Sequence, residues 1–309
     1  RTDDEFINDA RNEGLQSWYM HYMLLTDIGE ATRYPLRMSD CMVIDTIDPE
    51  RAPRRLIWGM TEKHKQSTAI EDIPSMGFGD DCWHSPAHVF HDEGDFVVYE
   101  DTKMWIDPAG RGVDRVGFAV IGLLNGFLFV KECGSLPGGY EDENIHRLCK
   151  IARSNLAREV VVEDNFGQGM MEQMMRRILR DHYWNVNQPD PYLGPISGEG
   201  AVAEAAEHAA AHRPWACNIR SQRVIKQKEL RILENLEPVT HGHKLILPRK
   251  VAEKEEFQRQ YTRIQRKKGC LSRDDEVESL GMCVSLFRDR LDVTVEQTES
   301  QRLDRQMQE

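Results

Sequence analysis

Long apolar runs are missing from this 309-residue sequence. No stretch approaches the ~18 consecutive apolar residues of a membrane-spanning helix, and no signal peptide is evident. We therefore expect no membrane partner. The hydrophobic content of 40% and the charged content of 30% are ordinary for a soluble globular protein. The length allows one large domain and a smaller appendage.

Paired cysteine motifs are also missing. The seven cysteines are scattered without C-x-x-C spacing and are odd in number, which predicts reduced thiols in a cytoplasm-like compartment: Cys41, Cys82, Cys133, Cys149, Cys217, Cys270 and Cys283. One segment is dense in soft ligands, namely Cys82, His84, His88 and His91. Its spacing matches no common structural zinc site, so a histidine-rich loop and a zinc site both stay open. His241 and His243 have less support still as ligands.

A phosphate-binding loop of the form G-x-x-x-x-G-K-[ST] occurs nowhere, so we do not predict ATP hydrolysis. The first residue is Arg1 rather than Met, and the residues after it resemble the middle of a helix. We therefore expect the chain to be a fragment of a longer polypeptide.

The net charge of −12 argues against a nucleic-acid partner, but the charge is unevenly distributed. Between Arg223 and Arg273 there are 14 Lys/Arg and 6 Asp/Glu, a local excess of positive charge. Such a run fits either a solvated surface or a DNA-phosphate contact. The candidate DNA-binding residues are Lys228, Arg231, Lys250, Arg266, Lys267 and Lys268, and Asn235 shares the helix face of the first two.

The N-terminal third predicts an appendage. Residues 1–30 have the periodicity of an amphipathic helix, which Pro35 ends. Short strand-like pieces separated by Pro, Gly and Asp follow over residues 40–102. We therefore predict an N-terminal linker subdomain over 1–102, a main domain over 103–295 and a tail over 296–309.

From residue 103 the pattern predicts a mixed α/β sheet. Strands are expected at 104–106, 116–124 and 127–131, with Asn125-Gly126 as a hairpin turn, and then at 160–162, 217–219 and 244–247. Helices are expected at about 143–155, 170–179, 228–239, 253–266 and 273–291. Residues 185–215 predict a loop or helical insertion.

Two predicted strands end in carboxylates, Asp107 and Glu163. If these strands are parallel neighbours, they lie ~4.8 Å apart with both acids at the carboxyl edge of the sheet, where α/β folds bind ligands. A third acidic cluster, Asp274-Asp275-Glu276 with Glu278, opens the last helix, and helix phase favours Asp274 as the ligand. Hard oxygen ligands suit Mg²⁺ or Mn²⁺, and two such ions catalyse phosphodiester cleavage. Each acid also fits a turn or helix-cap role, with Ser272 and Asp275 forming a capping box.

Three motifs resemble the nuclease domain of large terminase subunits from short-tailed phages. They are Trp105-Ile-Asp-Pro-Ala-Gly-Arg-Gly-Val-Asp114, Val161-Val-Glu-Asp-Asn-Phe-Gly167 and Ser272-Arg-Asp-Asp-Glu-Val-Glu278. Tyr34-Pro-Leu-Arg-Met-Ser-Asp40 resembles the linker that follows the packaging ATPase, and Lys228–Val239 is also similar. The sequence departs from the family at Glu278-Ser279, where Asp-Ala is frequent, and in the longer insertion over 185–215.

The resemblance implies a ribonuclease-H-like fold and an endonuclease that cuts concatemeric double-stranded viral DNA. Asp107, Glu163 and Asp274 would be metal ligands, with Asp275 as a fourth, and two Mg²⁺ or Mn²⁺ ions would be bound. It also implies a portal protein, a small terminase subunit and an ATPase domain of the same polypeptide as partners, in the host cytoplasm. Two alternatives stay open: a resolvase- or transposase-type nuclease on the same fold, and a non-catalytic DNA-clamping or portal-docking module.

Overall fold

The computed structural model describes residues 33–58, 60–61, 64–65, 69–90, 95–108, 115–165, 169–183 and 215–291. The predicted helix over 1–30, the tail over 296–309 and nearly all of the insertion over 185–215 lie outside the described residues. The strands are β1 (Met42–Ile44), β2 (Arg51–Pro53), β3 (Leu56–Ile57), β4 (Met60–Thr61), β5 (His64–Lys65), β6 (His88–Val89), β7 (Phe96–Val98), β8 (Asp101–Asp107), β9 (Arg115–Leu124), β10 (Phe127–Pro137), β11 (Glu159–Glu163), β12 (Asn218–Gln222) and β13 (Leu245–Pro248). The α-helices are α1 (Asp142–Ser154), α2 (Met170–Ile178), α3 (Lys228–His241), α4 (Arg249–Ala252), α5 (Glu255–Arg263) and α6 (Asp275–Ser285).

A seven-stranded sheet in the order β1-β13-β10-β9-β8-β11-β12 forms the centre of the molecule. Strand β9 is antiparallel to both of its neighbours, and every other adjacent pair is parallel. Six strands therefore point the same way and share one carboxyl edge. The predicted mixed sheet is confirmed. The six short strands β2 to β7 form three two-stranded ribbons outside it.

The hairpin between β9 and β10 is the one predicted from Asn125-Gly126. Both residues have positive φ, 51° and 76°, which a two-residue turn of this type requires and which Asn and Gly tolerate best. Strand β10 runs further than predicted, to Pro137, because its register shifts at a bulge between Val130 and Glu132 and then continues along β9.

Apolar side chains cover both faces of the sheet, so the inner strands contain almost unbroken apolar runs. On one face Trp105 and Val161 pack with residues of α3, α5 and α6, and on the other Met104 and Val160 pack with α1 and α2. The alternation along β8 and β11 is the period of two expected of strands. The sheet is therefore sandwiched between two helical layers.

Residues 33–44 are packed into the same core. Leu36 and Met38 are buried beside Trp105, and β1 adds a parallel edge strand to β13. Asp81 accepts hydrogen bonds from the backbone N–H groups of Met38 (2.9 Å) and Ser39 (3.0 Å). The predicted boundary between residues 102 and 103 remains a prediction.

Two predicted helices are shorter than expected. The one over 253–266 is α5 alone (Glu255–Arg263), because Lys254 is extended just before it and donates its Nζ to the carbonyl oxygen of Cys133 (2.6 Å). The short helix α4 precedes the predicted range. The one over 273–291 is α6, followed by a separate 3₁₀ turn at Arg288–Arg290. Among the described helices, none has the length and apolar character needed to cross a bilayer.

Candidate active site

Three carboxylates meet at the carboxyl edge of the sheet. Asp107 ends β8 and Glu163 ends β11, and these strands are parallel neighbours with Ile106 opposite Val162. Glu278, on α6, completes the group: each of the three residues offers a carboxylate oxygen, and these atoms lie within 4.8 Å of one another. The predicted proximity of Asp107 and Glu163 is therefore present in the structure.

The third member of the group lies one helical turn beyond the residue favoured from the sequence. Asp274 is the N-cap of α6, and Glu278 follows it by four positions, on the same face. One feature of the sequence does point to Glu278: it interrupts the apolar stripe of Val277 and Leu280, where a buried carboxylate is costly unless it is paired or bound to a cation.

Asp274 and Asp275 lie beside this group and face cations. The Oδ1 atom of Asp274 is 2.8 Å from Lys228 Nζ, and the Oδ2 atom of Asp275 is 3.9 Å from Arg273 Nε. Burial raises the pKa of both carboxyls. Their predicted role as metal ligands remains a prediction.

Gly117 lets α6 approach the sheet closely enough to deliver Glu278. It is the register partner of Asp107 on β9. A Cβ atom at this position would lie 2.5 Å from Ser279 Oγ and closer still to the carbonyl oxygen of Asp275. Because no side chain separates them, the first turn of α6 rests directly on the strand beside Asp107.

The crowded carboxylates perturb one another. Burial raises the pKa of Asp107 well above its usual range, and the negative charges of Glu278 and Glu163 raise it further. Burial, with the charge of Glu278, raises the pKa of Glu163 to about 7. Perturbed carboxyls clustered in a cleft are typical of functional sites.

Two cations on α3 offset this negative charge. Arg231 Nη2 and Lys228 Nζ both form ion pairs with Glu278. The neighbouring carboxylates of Glu278 and Asp274 raise the pKa of Lys228 despite its burial, so this ammonium is held charged. The N-terminal turn of α3 is therefore part of the acidic site.

Asn165 fixes the orientation of Glu163. Its Nδ2 donates to Glu163 Oε1, and its own Oδ1 accepts from the backbone N–H of Val224 (3.2 Å). The other oxygen, Glu163 Oε2, is buried and has no hydrogen-bond partner among the described residues. A buried, unpaired carboxylate oxygen beside two further carboxylates fits a hard divalent cation such as Mg²⁺ or Mn²⁺.

Comparisons with known proteins identify similar domains. Residues 106–245 match the family model of the ribonuclease H-like domain of the bacteriophage T7 terminase. Over these residues the chain is similar to that domain. The large terminase subunit of Enterobacteria phage T3 is 28% identical over 326 residues, covering 100% of this chain and 49% of that protein. The chain therefore spans about half the length of this curated relative.

Solved structures of terminases are also similar. The large terminase of a thermophilic bacteriophage has a TM-score of 0.48 at 12% identity, over 93% of this chain and 52% of its own. The Mn-soaked, inhibitor-bound nuclease domain of the human cytomegalovirus terminase has a TM-score of 0.41 at 13% identity, over 62% and 85%. The large terminase nuclease of the thermophilic phage G20c has a TM-score of 0.38 at 12% identity, over 63% and 90%.

The basic residues predicted to contact DNA fall into two groups in the structure. Lys228 and Arg231 turn inward to the acidic site, and Arg266 forms an ion pair with Glu237. Lys250, Lys267 and Lys268 are exposed. DNA contact by all six remains a prediction.

The histidine-rich loop has a structural explanation in part. His84 contacts Trp58 edge-on, and His243 stacks on the same ring with the centroids 4.1 Å apart. Among the described residues, the one group of three or more potential metal-ligating side chains is the carboxylate site, which excludes Cys82, His84 and His88 from such a group. His91 lies outside the described residues.

Proposed function

We propose that this chain is a metal-dependent endonuclease that cuts concatemeric double-stranded DNA during viral genome packaging. The observation that carries the proposal is the convergence of Asp107, Glu163 and Glu278 from three separate elements around the unpaired oxygen of Glu163. Clustered carboxylates repel one another, and a bound divalent cation would offset that repulsion.

The residues have distinct parts in this proposal. Asp107, Glu163 and Glu278 hold the metal, with Asp274 and Asp275 as further ligands at the start of α6. Two bound Mg²⁺ or Mn²⁺ ions would stabilise the attacking and leaving oxygens of a phosphodiester displacement. Lys228 and Arg231 hold Glu278 in place through ion pairs, and Asn165 holds Glu163 with one oxygen turned inward.

The wider assembly is part of the same proposal. Because the T3 relative is about twice as long, we infer that the full-length polypeptide also contains an ATPase domain. Duplex DNA, a portal protein and a small terminase subunit are the expected partners, in the host cytoplasm.

The decisive test is Asp107→Asn in a plasmid-cleavage assay with Mg²⁺ or Mn²⁺. We expect loss of cleavage with an unchanged circular dichroism spectrum, because the amide keeps the shape but not the charge of the ligand. Asp101→Asn, at the opposite end of the same strand, is the matched control and should cut normally. Undiminished cleavage by Asp107→Asn would remove the proposed site and favour a DNA-clamping module.

A further inference from the structure

Ile225 is exposed at the rim of the acidic site. It lies in the loop between β12 and α3, at the carboxyl edge of the sheet where Asp107 and Glu163 end. Its exposed fraction is 80%, whereas the exposed fractions of the other large apolar side chains at the surface of the described residues range from 37% to 49%. The side chain therefore contributes almost nothing to the core.

The loop that carries Ile225 is anchored on both sides. Val224 N donates to Asn165, which holds Glu163, and Lys228 binds Asp274 and Glu278. Ile225 is thus one residue from a contact to the first half of the site and three residues from a contact to the second. The loop is therefore anchored beside the acidic site on both sides of Ile225.

A second exposed apolar side chain stands at the start of the neighbouring helix α2. Met170 is 48% exposed at the start of α2, and the preceding Gly169 N–H donates to Asp164 (2.7 Å), next to Glu163. The segments that follow β11 and β12 therefore both present an apolar side chain, Met170 and Ile225. The basic side chains of Arg223 and Lys226, both exposed, flank Ile225.

The acidic site is recessed, and this creates a problem for a duplex substrate. Asp107 and Glu163 are half-buried and Glu278 is only 2% exposed, so a phosphate must approach these carboxylates closely, and distortion of the DNA backbone would ease that approach. Apolar side chains such as Ile distort duplexes when they enter the minor groove between base pairs and unstack them. Basic neighbours supply the phosphate attraction that such an entry needs.

We propose that Ile225 is a wedge that inserts between adjacent base pairs of duplex DNA in the minor groove and so presents a distorted backbone to the carboxylates. The inference rests on the proposed endonuclease function and adds how the duplex is engaged. The wedge matters most where the base pairs are intact, because mismatched steps are already partly unstacked.

The test compares two short duplexes that differ only in a pair of adjacent mismatches, cut by the 309-residue chain with Mn²⁺ under single-turnover conditions. Ile225→Ser should slow cleavage of the intact duplex by about tenfold and of the mismatched duplex by less than about twofold. Ile225→Phe, which keeps an apolar wedge, should cut both duplexes at nearly the wild-type rate. Ile57→Ser, at another exposed isoleucine in the β3–β6 ribbon, is the matched control and should leave both rates unchanged.

A second readout does not need cleavage. A 2-aminopurine base in the intact duplex should brighten when the wild-type chain binds with Ca²⁺ and should brighten less with Ile225→Ser, at equal Mn²⁺ affinity of the two proteins. Equal losses on both duplexes, or no loss on either, would overturn the wedge. A wild-type chain that cuts neither duplex would contradict the endonuclease proposal, and the fluorescence would still decide the wedge.

Discussion

Glu163 is held in an environment that resists its ionisation. Its pKa of about 7 in the folded chain exceeds the ordinary value of 4.5, chiefly through burial and then through the charge of Glu278. Its contribution to stability is therefore full below pH 4.5 and is lost as the pH rises through 7. Without divalent cations, Glu163→Gln should raise the free energy of unfolding relative to wild type at pH 8 and change it little at pH 4.5. Urea unfolding with a chelator present measures both.

Glu172 offers a control of opposite sign. Burial opposes its ionisation, but hydrogen bonds from Arg176 and Ser221 bring its pKa below the ordinary 4.5. Its contribution is present above that value and is lost as the pH falls through its lowered pKa. Glu172→Gln should therefore destabilise the protein at pH 8 and have less effect as the pH falls below 4.5. If Glu163→Gln changed the free energy of unfolding by the same amount at both pH values, the effect would not come from the ionisation of this carboxylate.

Asn165 is a positioning residue for Glu163. Without its amide, Glu163 can rotate and its inward oxygen loses a fixed place. Partners of metal ligands typically contribute 10- to 100-fold to affinity, so Asn165→Ala should weaken Mn²⁺ binding by at least about tenfold, measured by calorimetry. Asn218→Ala, exposed at the start of β12, should bind normally. Equal affinities for the two variants would show that Asn165 does not orient the ligand.

At the scale of elements, the approach of α6 to β9 decides whether Glu278 reaches the site. Gly117→Ala places a methyl group against the backbone of Asp275, which cannot move as a side-chain end can. Such overpacking costs about 1–3 kcal/mol, and the displaced helix should also lose Mn²⁺ affinity. Gly134→Ala on β10 is the control and should cost less, because its methyl would meet side-chain atoms of Lys254 and Phe118 at 3.2 Å rather than a closer backbone oxygen. Mn²⁺ binding that survived in Gly117→Ala would contradict this account.

The same elements show what sequence patterns could predict. A strand followed by an acid and a turn is a local signal, so Asp107 and Glu163 were found, and parallel pairing brought them together. Glu278 was not the first choice, because four acids crowd one helix start and the choice among them depends on how far α6 sinks onto Gly117. Arg231 was assigned to a DNA-facing surface because periodicity shows a polar face but not the carboxylate packed against it.

At the scale of the whole molecule, residues 33–102 precede the predicted domain boundary, yet they pack against the central sheet and add the edge strand β1 to it. Leu36, Met38 and Trp83 belong to the core around Trp105, and β1 covers the open edge of β13. A fragment that starts at residue 103 would expose this apolar surface and an unpaired strand edge, both of which favour aggregation. Residues of the N-terminal segment therefore form part of the core around the sheet.

A pair of fragments and a pair of point variants test whether residues 33–102 stabilise the sheet. The fragment 103–309 should unfold without a cooperative transition or at a much lower urea concentration than the fragment 33–309. Within the full chain, Asp81→Ala should cost about 1–3 kcal/mol, because it leaves the buried N–H of Met38 and its neighbour Ser39 without their acceptor. Asp80→Ala, on the adjacent exposed residue, is the matched control and should unfold like wild type. If 103–309 unfolded at the same urea midpoint as 33–309, the boundary at residue 102 would divide two independent units, and the packing of Leu36 and Trp83 would be incidental to the stability of the sheet.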